Sequence, residues 1–278
     1  MNIKAYAKIN LCLNVVGKRD DGYHELEMIM VPLTLHDTIT ITLSNKDEFT
    51  CSDTTLPMDE HNTVVKAVSL LRSLFPIQEH FHIHVEKNIP AQAGLAGGSA
   101  DGAAVLRGIR DLLKLPITIE ELSLKSKQIG ADVPFCVMQT SALVEGIGEK
   151  ITPIHIHSDF EILLVKPNEG VSTQKAFAML DFNACEHPDC NLVKDCLEQD
   201  RFQDLASSVS NSLEYSAFQL VPQIKALKQT LLHKGFDVVL MSGSGSSVFA
   251  LTRDLTLIKE TEIEMKNKGY FVSHTHII

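Results

Sequence analysis

The residues from Pro90 to Asp101, P-A-Q-A-G-L-A-G-G-S-A-D, are the part of this chain best suited to handling an anion. Small side chains let a backbone come close to a ligand, and the first amides of a helix have no partner inside it. A helix opening after Ser99 would therefore turn donors toward a phosphate. The plainer reading is a tight turn between a strand and a helix. Two better-known phosphate loops do not fit: no lysine follows Gly98 as a Walker A loop requires, and the glycines at 94, 97 and 98 lack the G-x-G-x-x-G spacing.

Asp132 is the second chemical candidate. Pro134 lacks an amide hydrogen and restricts Val133, so Asp132 is expected at a defined bend. A carboxylate in such small, apolar company can move a proton, or it can cap a helix or turn. Lys8 and Asn10 share one face of an alternating segment over residues 3 to 16. Tyr23 and His24 follow the turn signal Lys18-Arg19-Asp20-Asp21-Gly22, and Ser242-Gly243-Ser244-Gly245-Ser246-Ser247 is a late turn that either another loop or a ligand could abut.

The positioning elements follow from periodicity. Residues 80 to 89 alternate as a strand, and Ala103, Ala104, Leu106, Ile109, Leu112 and Leu113 repeat at helical spacing. Asn62 or Thr63 can cap a helix ending near Pro76, and Thr118 opens another. Two strands are expected around Pro32, a glycine turn joins strands over 142 to 151, and a boundary is expected near 150 to 158. Strands are also expected at 161 to 165, 238 to 251 and 270 to 277, with a short helix carrying Phe177 and Leu180 and a longer one from Leu255 to Lys268.

A chain of 278 residues suggests two domains or one elaborated domain. The net charge of −10 disfavours nonspecific binding to nucleic acid or anionic membranes, and no run is long enough to span a bilayer. With no apolar signal region behind Met1-Asn2-Ile3-Lys4, the expectation is a cytoplasmic protein whose cysteines at 12, 51, 136, 185, 190 and 196 are reduced.

In chain order, a lysine-bearing first strand, the P-x-x-x-G-L-x-G-G-S loop and the S-G-S-G-S-S-V-F-A-L turn resemble the GHMP small-molecule kinases. A-K-I-N-L at 7 to 11, D-G-Y-H-E-L at 21 to 26, A-G-L-A-G-G-S-A-D at 93 to 101, G-A-D-V-P-F at 130 to 135 and G-I-G-E-K at 146 to 150 narrow the resemblance to one branch. That branch phosphorylates the 2-hydroxyl of a cytidine-diphosphate-linked methylerythritol in the non-mevalonate isoprenoid pathway. D-G-Y-H is its most specific signature, and the likeness runs from Ala7 to Leu251.

The resemblance implies an α+β, two-domain GHMP kinase fold: an N-terminal ribosomal-protein-S5-domain-2-like domain over residues 1–153 and a C-terminal ferredoxin-like domain over 154–278. It implies ATP and Mg2+ as cofactors, a small-molecule substrate, no nucleic-acid or membrane partner, and a monomer or weak homodimer. By the same resemblance Asp132 is the base and Lys8 its cationic partner. Pro90, Ala93, Gly94, Leu95, Ala96, Gly97, Gly98 and Ser99 hold ATP phosphates, with the Ser99 hydroxyl near them or the Mg2+ shell, while Asn62 and Lys87 border the adenine. Asn10, Tyr23, His24 and Phe177 meet the substrate, with Tyr23 and Phe177 as opposite walls around the cytosine.

The chain departs from the family pattern at Tyr6, Ala100, Gly102 and Ser246-Ser247. Glycine at 102 weakens a first helical turn by roughly 0.5–1 kcal/mol. These departures leave open a divergent relative that acts on another small alcohol, or a catalytically weak nucleotide binder. No dedicated metal site is expected. Cys185 and Cys190, with Cys196 nearby, lack a second paired half for zinc, and the alternating His80, His82, His84 and His274, His276 read as polar strand surface.

Overall fold

The alternation near the N-terminus becomes one long strand, β1 (Asn2–Lys18). Ile9, Leu11 and Leu13 are buried, as one strand face should be. Lys8 and Asn10, on the other face, are only 4% and 1% exposed, so the middle of β1 is covered on both sides. The structure, a computed structural model, describes residues 1–157 and 159–278; residue 158, at the end of the expected boundary, lies outside them.

The expected break at Pro32 is absent. A single strand, β2 (His24–Ser44), runs through it. Leu26 to Met30 pair with one neighbouring strand and Thr38 to Ser44 with another, so Pro32 falls between the two ladders and its missing N–H costs neither a bond.

The chain divides into two compact units, and β1 and β2 contribute to both. The first unit comprises Met1–Ala7, Leu35–Ile89 and Ala96–Gln139. It holds β3 (Glu48–Cys51), parallel to β4 (His80–Glu86), which is antiparallel to the second half of β2. Its helices are α1 (Thr63–Leu74), α2 (Gly97–Leu113), α3 (Ile119–Ser126) and α4 (Val133–Met138). Ile39, Ile41, Phe81 and Ile83 from the strands, with Leu71, Leu106 and Ile109 from the helices, are removed from water. α3 starts on a reciprocal capping box between Thr118 and Glu121. Past Asp132 the chain forms α4 where only a bend was expected, because proline near a helix start gives up an N–H that has no intrahelical acceptor.

The second unit comprises Lys8–Thr34, Pro90–Leu95 and Thr140–Ile278. The expected turn at 142 to 151 is the antiparallel pair β5 (Ala142–Gly146) and β6 (Lys150–Pro153), with β5 on the first half of β2. A four-stranded antiparallel sheet follows: β7 (Glu161–Lys166), β8 (Val238–Met241), β9 (Val248–Thr252) and β10 (Phe271–Thr275), in the order β10-β7-β9-β8. Its helices are α5 (Thr173–Ala178), α6 (Cys190–Glu198), α7 (Phe202–Ser208), α8 (Glu214–Leu220), α9 (Pro222–His233) and α10 (Leu255–Asn267). Buried Ile224, Leu227 and Leu231 come from α9, and Ile258 and Met265 from α10. The mixture of helix and antiparallel sheet is the α+β class that the resemblance implied.

The cysteine expectation needs correction. Cys12 on β1 and Cys190 at the start of α6 are joined as a disulfide, with Cα atoms 6.1 Å apart. Their separation of 178 residues hides the pairing from local spacing. It also removes Cys190 from any Cys185–Cys190 metal site. Among the described residues, no helix is long and apolar enough to cross a membrane.

Candidate active site

The glycine-rich loop is shaped by a close backbone approach. Gly94 has φ +72°, and a Cβ there would lie 2.0 Å from the Ser242 carbonyl oxygen. Ser242 Oγ donates to the Gly94 carbonyl at 2.9 Å, and the amides of Ser246 and Ser247 donate to the carbonyls of Gln92 and Ala93 at 3.3 and 3.2 Å. The late serine-glycine turn thus abuts a loop. Ala93 and Leu95 are buried, and the Leu95 carbonyl accepts the Lys8 amide at 3.1 Å, which ties the loop to β1.

Asn211 supports this arrangement from behind. It is fully buried, and its Nδ2 donates to the carbonyls of Met241 and Gly243, each at 2.8 Å, while its Oδ1 accepts the Leu213 amide at 2.9 Å. Sequence reasoning missed it, because one asparagine in a polar helical stretch carries no local signal.

Beyond Leu95, Ala96 turns left-handed at φ 57° and occupies the N-cap position of α2. The helix therefore opens at Gly97, three residues earlier than expected, and Ser99 sits inside its first turn. Alanine has no side-chain acceptor for the opening amides, so Gly97, Gly98 and Ser99 begin a helix whose donors suit an external anion.

Two buried carboxyl groups and a half-buried lysine lie at the start of that helix. Lys87, which follows β4, pairs with Asp37 and with Asp101 Oδ2, the latter at 2.8 Å. Asp37 Oδ1 also accepts the amides of Asn88 and Ile89, at 2.5 and 2.8 Å, which orients the chain entering Pro90. Asp101 Oδ1 is buried without a hydrogen-bond partner. Burial, opposed by Lys87 and reinforced by Asp37, pushes the Asp101 carboxyl up to about 8. Two carboxylates around one lysine are relieved when Asp101 carries a proton. The Lys87 ammonium thus faces protein carboxylates, and any contribution to a nucleotide comes from its position next to this loop.

Asn62 caps α1: its Oδ1 accepts the Val64 amide at 2.9 Å, and its Nδ2 donates to the Pro57 carbonyl at 2.8 Å. The next residue, Thr63, reaches α2, with Oγ1 donating to the Gly98 carbonyl at 2.5 Å. A Cβ at Gly102 would lie 3.0 Å from the Thr63 carbonyl oxygen. Glycine at this departure from the family pattern therefore serves the close approach of α1 to α2.

On β1, Lys8 Nζ donates to Asn10 Oδ1 at 2.6 Å, as their shared face requires, and Asn10 Nδ2 lies 3.3 Å from Met28 Sδ. Asp132 stands at the N-cap position of α4, but its carboxylate makes no capping hydrogen bond. The helix-cap reading of Asp132 thus lacks its hydrogen bond.

The third group of residues surrounds His24. Its ring stacks on Phe177 of α5 with centroids 4.9 Å apart and planes at 27°, and Phe182 lies parallel at 6.2 Å. Burial and then the nearby Lys18 charge lower the His24 pKa, so at neutral pH the ring offers one donor and one acceptor nitrogen. Tyr23 is 59% exposed, in a turn where Arg19 bridges Asp21 and Glu25 at 3.1 and 2.7 Å. Phe177 thus faces His24, and Phe182 is an aromatic that sequence reasoning did not single out. Such a surface suits a flat polar ring, stacked by aromatics and read at its edge by imidazole.

The family profile for the GHMP kinases N terminal domain matches residues 62–140, and that for GHMP kinases C terminal matches 192–270. The 4-diphosphocytidyl-2-C-methyl-D-erythritol kinase of Clostridium tetani is 40% identical over 251 residues, covering 90% of each chain. That of Clostridium kluyveri is 39% identical over 279 residues, covering 99% of this chain and 100% of its own. A crystal structure of 4-(cytidine 5'-diphospho)-2C-methyl-D-erythritol kinase superposes with a TM-score of 0.81 at 27% identity, covering 99% of each chain.

Proposed function

Because the chain belongs to the GHMP kinases, within the 4-diphosphocytidyl-2-C-methyl-D-erythritol kinase family, we propose that it transfers the γ-phosphoryl group of ATP to the 2-hydroxyl of that cytidylyl substrate in the non-mevalonate isoprenoid pathway. The observation that carries this reading is the loop: Gly94 held against Ser242, followed by a helix that opens on Ala96 without a side-chain cap.

A tertiary hydroxyl is a weak nucleophile at neutral pH, and phosphoryl transfer is accelerated mainly by positioning and charge stabilisation. Asp132 accepts the hydroxyl proton as the new P–O bond forms. Lys8, oriented by Asn10, steadies negative charge on the transferring group. The Gly97, Gly98 and Ser99 amides hold phosphate oxygens, backed by Pro90, Ala93, Gly94, Leu95 and Ala96, with Asn62 and Lys87 bordering the adenine. Tyr23, His24 and Phe177 take the cytosine, and Asn10 contacts the sugar-alcohol end.

Mg2+ fits this set of donors. Ser99 has the one hydroxyl in the first turn of α2, and magnesium keeps most of its waters while bridging phosphate oxygens, so it needs few protein ligands. When bound it neutralises charge on the triphosphate. The matched profiles support a division at residues 1–153 and 154–278, since each falls within one segment. The net charge of −10 supports the reading that the enzyme has no nucleic-acid or anionic-membrane partner; a cytoplasmic location and a monomeric or weakly dimeric state are part of the same proposal.

The test is turnover with ATP, Mg2+ and the cytidylyl substrate. Asp132→Asn should lower kcat by about 10²–10⁴-fold, with KM values changed little. Wild-type turnover on a different alcohol alone, or full activity in the variant, overturns the proposal.

A further inference from the structure

The alternating histidines at the end of β10, His274 and His276, are not alone. Glu161 at the start of β7, His274 of β10 and His276 just beyond it present one carboxylate oxygen and two imidazole nitrogens, all within 4.8 Å of one another. The sheet register explains the convergence. β10 runs antiparallel to β7 with His274 opposite Leu163 and Thr275 opposite Ile162, so the next step sets His276 opposite Glu161. Residues two apart on a strand share a face, which places His274 diagonally across from the same carboxylate.

The geometry points to a binding site for a divalent transition ion of the zinc class, held by His274 Nε2, His276 Nδ1 and the Glu161 carboxylate. Both rings direct a nitrogen at one oxygen, Glu161 Oε2, at 2.5 Å from His274 and 3.4 Å from His276. Zinc binds imidazole nitrogen and carboxylate oxygen at about 2.0–2.2 Å, so a tetrahedral site spaces its donors at roughly 3.3–3.5 Å. The His276 pair already has that spacing. The His274 pair must open by about 1 Å, within reach of side-chain rotation, and a solvent molecule can take the fourth position beside the exposed His276 ring. The set is also held in place: the His276 amide donates to Thr34 Oγ1 at 3.1 Å, and its carbonyl accepts the Thr34 amide at 2.8 Å.

Two nitrogens and one oxygen select zinc, cobalt or nickel over magnesium, which prefers oxygen alone. The ion therefore differs in class from the one that accompanies ATP. It clamps the edge strand β10 to β7.

The test uses the full-length chain without a polyhistidine tag, titrated with zinc chloride by calorimetry and with cobalt chloride by absorption spectroscopy. One zinc should bind per chain, and the cobalt spectrum should lack a thiolate charge-transfer band. Glu161→Gln and the double variant His274→Ala/His276→Ala should each weaken zinc binding by at least about tenfold, while His82→Ala/His84→Ala leaves it unchanged. Metal-free melting of Glu161→Gln, matched to wild type, separates lost ligation from lost folding. The milder His276→Gln, at an exposed position, should reproduce the weakening if Glu161→Gln melts early. No zinc binding by the wild type, binding unchanged in both His276→Gln and the double variant, or a thiolate band in the cobalt spectrum overturns the proposal.

Discussion

Two stretches of small residues, Gly94 to Ser99 and Ser242 to Ser247, look alike as sequence but do different work. The first runs into the opening turn of α2, where helix amides have no internal partners. The second uses its polar groups on the chain itself: Ser242 Oγ on the Gly94 carbonyl, Ser246 Oγ on the Glu169 carbonyl at 2.5 Å, and Ser246 and Ser247 amides on Gln92 and Ala93. Glycine permits close approach in both cases, but the approaching partner differs. For Gly94 and the late turn that partner is backbone; for the amides of Gly97 to Ser99 the proposed partner is a phosphate.

The largest break in this pairing should come from Gly94→Ala. With φ at +72° and a Cβ only 2.0 Å from the Ser242 carbonyl, both backbones must move, and we expect a loss of about 4 kcal/mol or more in urea unfolding, with no measurable kinase activity. Near-wild-type stability would show that the two stretches are not mutually fixed. Asn211→Ala comes next. It strands two buried carbonyls and the Leu213 amide, for an expected loss of about 2–4 kcal/mol and a raised KM for ATP. If the unfolding midpoint holds, the late turn stands without that support.

The smallest effect separates the stretches by charge. The late turn is held by neutral groups, whereas α2 rests on Asp101, with Lys87 and Asp37 facing it. The Asp101 carboxyl is raised to about 8 from an ordinary 3.8, so the folded protein keeps a proton there that the unfolded chain releases. Its contribution is complete below about pH 4 and is lost as pH rises toward 8. Asp101→Asn should flatten that decline in unfolding measured from pH 5 to 8. An unchanged slope would put the titration elsewhere.

Much of this was legible in the residues because it is local. The alternation of β1 and β4, the periodicity of α2, the cap at Asn62 and the capping box at Thr118 each lie within a few neighbours. What escaped depends on distant partners. Pro32 is tolerated because two separate strands pair on either side of it. Cys12 finds Cys190, Asn211 finds Gly243, and Glu161 finds His274, none of which spacing can reveal. Gly102 shows the same limit in reverse: a residue that local propensity marks as a weakness eases the close approach of the Thr63 carbonyl.

The contact from Thr63 to Gly98 has an electrostatic consequence. It sets the opening turn of α1 beside that of α2, so two positive dipole ends lie together and repel. A negatively charged guest at that point would relieve the repulsion, drawing on both helices for an attraction that either alone would supply only in part.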